Sequence, residues 1–247
     1  MKQASGLGPQ ASSTVRYGAM LLVLVGAMAV GLREVVSSST FQLFGDYVAR
    51  VNTEERVVAV TFDDGPDPMH TPRVLAVLDQ QQVKATFFMM GRNVERYPEV
   101  AREVLRRGHE VGNHSYSHPK LVLMWPRRVR EEIERTDALL RDVGVSGEIH
   151  FRPPHASKFI VLPYVLMQMK KLSVLGDVDP EEWKRHSAPV MTEMILRQVR
   201  PGSIIGLHDP MGAETLQTLQ NILPALASQG YRFETVSALV RRRPQPR

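Results

Sequence analysis

The sequence predicts an α/β fold made of parallel βα units, closed as a barrel or left as an open sheet. Two observations lead there. From residue 57 onward, short apolar β-like runs alternate with longer helical ones, and polar residues collect just beyond several of the β-like ends. The 247 residues are 43% hydrophobic and 23% charged, ordinary globular usage. After an N-terminal leader, about two hundred residues remain to bury a core, with no linker to suggest a second domain.

The leader comes first in the chain. Residues 18–32 are an unbroken apolar run behind an acid-free segment that carries Lys2 and Arg16. As a helix this run spans roughly 22 Å, short of a ~30 Å hydrocarbon core, which suits a signal-peptide core or a short signal anchor. A small-x-small triplet, Ala27-Met28-Ala29, lies inside the apolar run, a poor place for cleavage, so retention as a membrane anchor is favoured over secretion. Positive charge before the run and the balanced Arg33-Glu34 after it put the body outside the cytoplasm. The expected division is a signal or anchor helix over 1–33, a linker over 34–54, a folded domain over 55–240 and a basic tail over 241–247.

Within the domain, residues 57–62 read as a buried strand, 71–81 as a helix and 83–89 as a second strand. Residues 97–107 form a helix with Pro98 in its first turn, where the missing N–H is no loss. Residues 109–113 are strand-like. Residues 126–143 form a charged amphipathic helix that turns Val129, Ile133, Ala138 and Leu140 inward. Short strands follow at 148–152 and 172–177, then a helix at 187–199, a buried strand at 203–207, and the runs 215–228 and 231–236. The apolar stretch 159–169 reads first as a core helix; the sharper alternative is a surface that touches a bilayer.

Charge and cysteine content exclude several functions. The net +5 divides into +2 on the leader (1–40), +4 on the tail (241–247) and −1 on the body. A nearly neutral body has no general attraction to phosphate backbones, so no nucleic-acid partner is expected. The absence of cysteine removes disulfides, iron–sulfur clusters, thiolate zinc sites and cysteine nucleophiles.

The chemistry-bearing residues sit at the expected strand ends. The first strand runs into Asp63-Asp64-Gly65-Pro66, and adjacent carboxylates at the end of an apolar strand are costly without a cation. A turn with solvated acids is the plain alternative. The third strand ends in His114-Ser115-Tyr116-Ser117-His118, whose imidazoles can converge on one ion, although surface pairs of this spacing are common. The strand at 203–207 runs into His208-Asp209. Coincidence is a poorer explanation for the set than for any one member.

Over residues 55 to 240 the sequence resembles the NodB-like polysaccharide deacetylases, carbohydrate esterase family four. The resemblance rests on Thr61-Phe62-Asp63-Asp64-Gly65-Pro66, His114-Ser115-x-x-His118, Arg152-Pro153-Pro154, Asp179-Pro180-Glu181-Glu182-Trp183 and Leu207-His208-Asp209, in that order. It implies a distorted, incomplete (β/α)7-type barrel that removes N-acetyl groups from amino sugars of a polysaccharide or oligosaccharide. The resemblance also implies one divalent metal ion, zinc by default with cobalt or another divalent ion as alternatives, held by Asp64, His114 and His118. Asp63 would be the general base, held ionised by Arg152, and His208 the general acid, paired with Asp179. The His155 backbone N–H would donate to the oxyanion, and Trp183 and Leu207 would contact substrate. Three positions depart from the family pattern: His155-Ala156 replace an aromatic-Gly pair, Glu182 replaces an aspartate, and Gly206 replaces a leucine that packs on the acyl methyl. The last would widen the acyl pocket. The expected partners are a peptidoglycan-like or chitin-like carbohydrate and, through the anchor, a membrane. The rival functions are deacylation of a lipid-linked amino sugar and glycan binding by a pseudoenzyme.

Overall fold

The run Val57–Asp63 is buried at every residue, which a strand achieves only with both faces covered. In the computed structural model it is strand β2, at the centre of the domain. The structure describes residues 42–209 and 212–243, and within the leader only Tyr17, 20–24, Gly26 and Gly31, all helical. The chain falls into a leader unit, Met1–Ser38, and a domain, Ser39–Arg247. No helix among the described residues is long and apolar enough to cross a membrane, and most of the predicted anchor lies outside the described residues.

The domain order is β1 (Tyr47–Val48), β2 (Val57–Asp63), α1 (Thr71–Gln80), β3 (Thr86–Met89), α2 (Gly91–Arg96), α3 (Pro98–Arg106), β4 (Glu110–Asn113), α4 (Pro126–Asp142), α5 (Val161–Gln168), β5 (Ser173–Val174), α6 (Ala188–Gln198), β6 (Ile204–His208), α7 (Ala213–Ser228), β7 (Arg232–Phe233) and α8 (Val236–Val240). Proline stands in the first turn of α1, α3, α4 and α6, where its fixed φ favours a helix start. Helix α4 buries Val129, Ile133, Thr136 and Leu140. Ala138, expected inside, is exposed, because the helical repeat brings Thr136 to the buried face instead.

Strands β4, β3, β2 and β6 pair in that order, all parallel. Single parallel bridges, Asn113↔Phe151, Phe151↔Ser173 and Val178↔Ile205, continue the pairing from β4 past β5 to β6. The staves thus close into an irregular ring with narrow seams. The expected strand at 148–152 shrinks to the Phe151 bridge because Pro153 and Pro154 follow at once and offer no N–H to a ladder. Within the last run, 231–236, only Arg232–Phe233 is a strand, and it pairs with Val57 and Val58 of β2. Thr235 ends it by capping α8, its hydroxyl accepting the Ala238 N–H.

Strand alternation sorts the interior from the helix-covered outside. Val60 and Phe62 of β2, Phe87 and Met89 of β3, and Ile205 and Leu207 of β6 pack outward with Leu75 and Leu78 of α1 and Leu219 and Ile222 of α7. Val57 and Ala59 of β2, Phe88 of β3 and Ile204 of β6 join Val48 and Val174 in a separate cluster that lines the lower interior of the ring. A third cluster joins α4 and α5 through Val129, Ile133, Leu162 and Leu166.

Part of the expected linker belongs to this domain. β1 pairs in parallel with β5, and the Val51 N–H donates to Gly202 O at 2.9 Å. The start of the basic tail is also tied down, with Arg242 paired to Glu234 and Glu55 and Arg243 donating to the Tyr47 carbonyl.

Candidate active site

Where β2 ends, Asp64 takes a left-handed backbone (φ 71°) and leaves the strand direction. Asn93 of α2 donates to the Asp64 carbonyl at 2.7 Å and fixes this turn. The next residue must be glycine, since a Cβ at Gly65 would stand 2.5 Å from Asp209 Oδ2. At the end of β4, Asn113 Oδ1 accepts the Ser115 N–H, while its Nδ2 donates to Ile133 O and Asp137 on α4. Ser115 and His118 are left-handed as well (φ 61° and 60°). Such backbone, unfavourable for residues with a Cβ, collects at both loops that carry the predicted ligands.

These loops bring Asp64, His114 and His118 together. Asp64 Oδ1 lies 3.5 Å from His114 Nε2 and 3.3 Å from His118 Nε2. The three ligand atoms lie within 4.8 Å of one another. Asp64 Oδ1 is buried with no hydrogen-bond partner, a costly state unless a cation binds there. His114 Nδ1 is 2.8 Å from the Arg152 carbonyl, which fixes the tautomer and leaves Nε2 as the donor to an ion. Burial favours neutral imidazole in both histidines, lowering His118 to about 4 with help from neighbouring His155. Neutral imidazole is the form that ligates. On orphaned oxygen, tautomer and donor chemistry, the residues fit a divalent ion.

Asp63 sits beside this triad and faces the ring interior. Arg152 Nη1 donates to Asp63 Oδ1 at 2.8 Å and to Thr61 Oγ1 at 2.6 Å, while the guanidinium lies over the Phe88 ring at 4.2 Å. Burial pushes the Asp63 carboxyl up, but Arg152, His114 and His208 together hold it below the usual carboxylate range. It is therefore held ionised and oriented. Thr61, one strand repeat below Asp63, was not singled out in the sequence; its position on the same face as Asp63 was the available sign.

The neighbouring strand, β6, delivers His208, in register with Asp63. Its Nδ1 is 2.7 Å from Glu182 Oε2, and Glu182 also accepts the Thr215 hydroxyl at 2.5 Å. Burial opposes the charged imidazole, yet the Glu182 hydrogen bond and the carboxylates of Asp63, Glu182 and Asp64 outweigh it and raise His208 to about 9. The expected partner, Asp179, is not there: it is exposed and accepts the Glu181 N–H at 2.7 Å. The tight turn Glu182–Lys184, flanked by left-handed Glu181 and Arg185, is what aims Glu182 at the histidine. Leu207 also departs from expectation. It is wholly buried in the outer core, because strand alternation turns it away from the face that carries His208.

The remaining expected residues frame the mouth. His155 is exposed and left-handed (φ 57°), its ring 4.4 Å from that of His118. Trp183 is 67% exposed beside Glu182. Gly206 lies one strand repeat below His208, and a Cβ there would stand 3.9 Å from both Arg152 Nη1 and the Val178 carbonyl. Asp209, whose role the sequence left open, accepts the Thr71 hydroxyl at the start of α1. Burial and the charges of Asp67 and Asp64 raise it to about 7.

The comparisons with known proteins agree with this geometry. Residues 50–173 match the family model described as polysaccharide deacetylase. A peptidoglycan-N-acetylglucosamine deacetylase of Bacillus cereus is 35% identical over 185 residues, covering 74% of this chain and 67% of that protein. The crystal structure of the Bc1960 peptidoglycan N-acetylglucosamine deacetylase superposes with a TM-score of 0.76 at 31% identity, covering 81% of this chain and 95% of the other. A Bacillus anthracis structure described as a pseudoenzyme of carbohydrate esterase family four superposes at 0.74 with 26% identity, over 80% and 70% of the two chains. By sequence and by fold, the chain belongs to the polysaccharide deacetylase family.

Proposed function

We propose that the domain removes N-acetyl groups from amino sugars of a cell-wall glycan, with peptidoglycan as the leading substrate and chitin-like oligomers as the alternative. The observation that carries this reading is a proton acceptor (Asp63, held by Arg152) and a proton donor (His208, held by Glu182) flanking a two-histidine, one-carboxylate cluster. Asp64, His114 and His118 would hold the ion, for which zinc suits the donor set and cobalt or another divalent ion can substitute. When bound, such an ion supplies Lewis acidity and a water of lowered pKa.

The chain's own groups do the rest. Asp63 accepts a proton from the attacking water as its oxygen bonds to the amide carbon. The backbone N–H of His155 donates to the developing oxyanion. His208 gives its proton to the amide nitrogen as the C–N bond breaks, so that amine and acetate leave; a nitrogen without that proton would be a very poor leaving group. Trp183 offers an apolar face to the sugar or its acyl group.

The apolar run 18–32 supports placing the domain outside the cytoplasm, anchored or exported. A second reading, deacylation of a lipid-linked amino sugar, is favoured by Leu123 and Trp125, which follow His118 closely and are 87% and 81% exposed. The rival of a glycan-binding pseudoenzyme is opposed by the retained acceptor, donor and ligand set, because binding alone requires none of them. The test is acetate release from peptidoglycan, N-acetylglucosamine oligomers and a lipid-linked amino sugar, with and without a chelator. Chelator-sensitive release supports the reading; glycan binding without release contradicts it.

A further inference from the structure

Helix α5 is apolar on every side. Leu162, Val165 and Leu166 face the cluster shared with α4. The opposite side presents Ile160, Tyr164 and Met167, which are 45%, 41% and 42% exposed. The spacing of these three residues makes them one stripe. Burial in a core accounts for the first face only, and an uncovered second apolar face needs an apolar neighbour.

The stripe continues onto two adjoining segments. The Phe44 ring stands edge-on to Tyr164, with centroids 6.1 Å apart. On the other side α5 packs beside the turn Leu121–Leu123, where Leu123 and Trp125 are 87% and 81% exposed. Tryptophan and leucine seldom stand so far into solvent. Both carrier segments lead straight out of the site, the turn following His118 within a few residues and α5 following His155. Leu123, Trp125 and Ile160 therefore stand toward the site, while Met167 packs against Gly45 ahead of β1, toward the other end of the strands.

Its rim is basic on balance. Lys120, Arg127, Arg128 and Lys170 are all exposed, Arg127 and Arg128 share a single carboxylate, Glu131, and Arg130 is paired with Glu134. That leaves Asp46 as the other exposed acid, beside Phe44. Tyr164 keeps its hydroxyl engaged at the edge, accepting from Gln168 Nε2 at 2.8 Å. An apolar centre with indole and phenol at its margin and cations around it is complementary to a bilayer interface with anionic headgroups. A lysine–arginine rim has no such complement in a neutral, chitin-like glycan.

We propose that this surface of the catalytic domain docks on an anionic lipid bilayer, seating Phe44, Leu123, Trp125, Ile160, Tyr164 and Met167 at the headgroup boundary, with its Leu123–Trp125 end toward the active site. The docking stands independently of whether the deacetylase reading holds. It would confine the site to glycan lying at the membrane surface. The residues between the apolar run 18–32 and Phe44 reach at most about 40 Å, so a membrane-held leader would keep this surface close to lipid.

Trp125 reports the docking directly. The chain has two tryptophans, so Trp183→Phe leaves Trp125 as the only indole. The full-length variant is incorporated into vesicles of phosphatidylglycerol and phosphatidylcholine whose acyl chains carry bromine, a contact quencher. Trp125 emission should shift to the blue and be quenched, less so in phosphatidylcholine alone. Leu123→Asp with Ile160→Asp, leader intact, should lower the docked population roughly tenfold or more, while the same pair made with Trp183 in place leaves acetate release from soluble oligomers at the level of the unaltered chain. Leu123→Asp alone, at the more exposed site, serves if the double variant folds poorly. Trp125 emission indifferent to bromine, or quenched equally in the aspartate variants, overturns the proposal. So does a lipid-free dimer that the same variants convert to monomer, which would make the surface a contact between two copies, or protection of Trp125 by sugar oligomers alone.

Discussion

The interior of the ring has two ends made by the same strands. On β2 the inward residues run Val57, Ala59, Thr61, Asp63, and on β6 they run Ile204, Gly206, His208. The lower end is an apolar plug with Val48, Phe88 and Val174; the upper end holds Asp63, Arg152 and His208 beside the Asp64–His114–His118 cluster. The hydrogen-bond ladder is continuous through both, so the change is one of side chains. Apolar packing fixes the strands, and the polar groups above it inherit that fixed spacing. A buried carboxylate and a half-buried imidazole can then remain charged because each has a dedicated partner, Arg152 for Asp63 and Glu182 for His208.

This contrast predicts that upper-end changes strike chemistry and lower-end changes strike stability. The largest effect is expected from Asp63→Asn, which removes the proton acceptor and keeps its shape. Turnover should fall by about 10²–10⁴ with metal affinity retained, as measured by steady-state acetate release beside metal content after dialysis. Normal turnover would remove the base assignment. Arg152→Ala strands a buried carboxylate and should destabilise the fold by about 3–5 kcal/mol in urea denaturation, besides lowering activity. Ile204→Ala in the plug should cost about 2–5 kcal/mol yet leave kcat per folded molecule unchanged. Equal losses of kcat from Ile204→Ala and Asp63→Asn would erase the distinction between the two ends.

Much of this division was legible in the sequence. The runs at 57–62 and 203–207 are short and mostly apolar, with β-branched residues prominent, and the ligands lie within a few residues of strand ends. Helix α2 was not legible, since Gly91–Arg96 is too short to show a period. The partner of His208 was misassigned because Asp179, Glu181 and Glu182 stand within one short stretch, and only the left-handed turn at Glu181 decides which reaches the imidazole. Leu207 is a different kind of miss. Adjacent strand residues point to opposite faces, so choosing His208 for the interior already excluded its neighbour.

Smaller effects sharpen the upper end. His208 is raised to about 9, so its proton should persist through neutrality, and activity should fall as pH climbs through that value. The same shift stabilises the fold fully below the ordinary imidazole value of 6.5, with the contribution lost as pH rises toward about 9. Glu182→Gln removes the charge that supports the imidazolium, so the alkaline limb of the pH–rate profile should move to lower pH. A limb that stays in place would detach Glu182 from His208. The smallest effect is expected at Gly206. Leucine there should reduce any activity on propionyl and butyryl amides relative to acetyl, measured as a ratio of kcat/KM values. An unchanged ratio would show that the missing side chain does not set acyl width.

The central claim is that one divalent ion is shared by residues from the ends of β2 and β4. Calorimetric titration of metal-stripped protein with zinc tests it most directly. The account predicts one site per chain, lost in His114→Ala and kept in Asp63→Asn. No binding by the unaltered chain, or binding that survives His114→Ala undiminished, would contradict it.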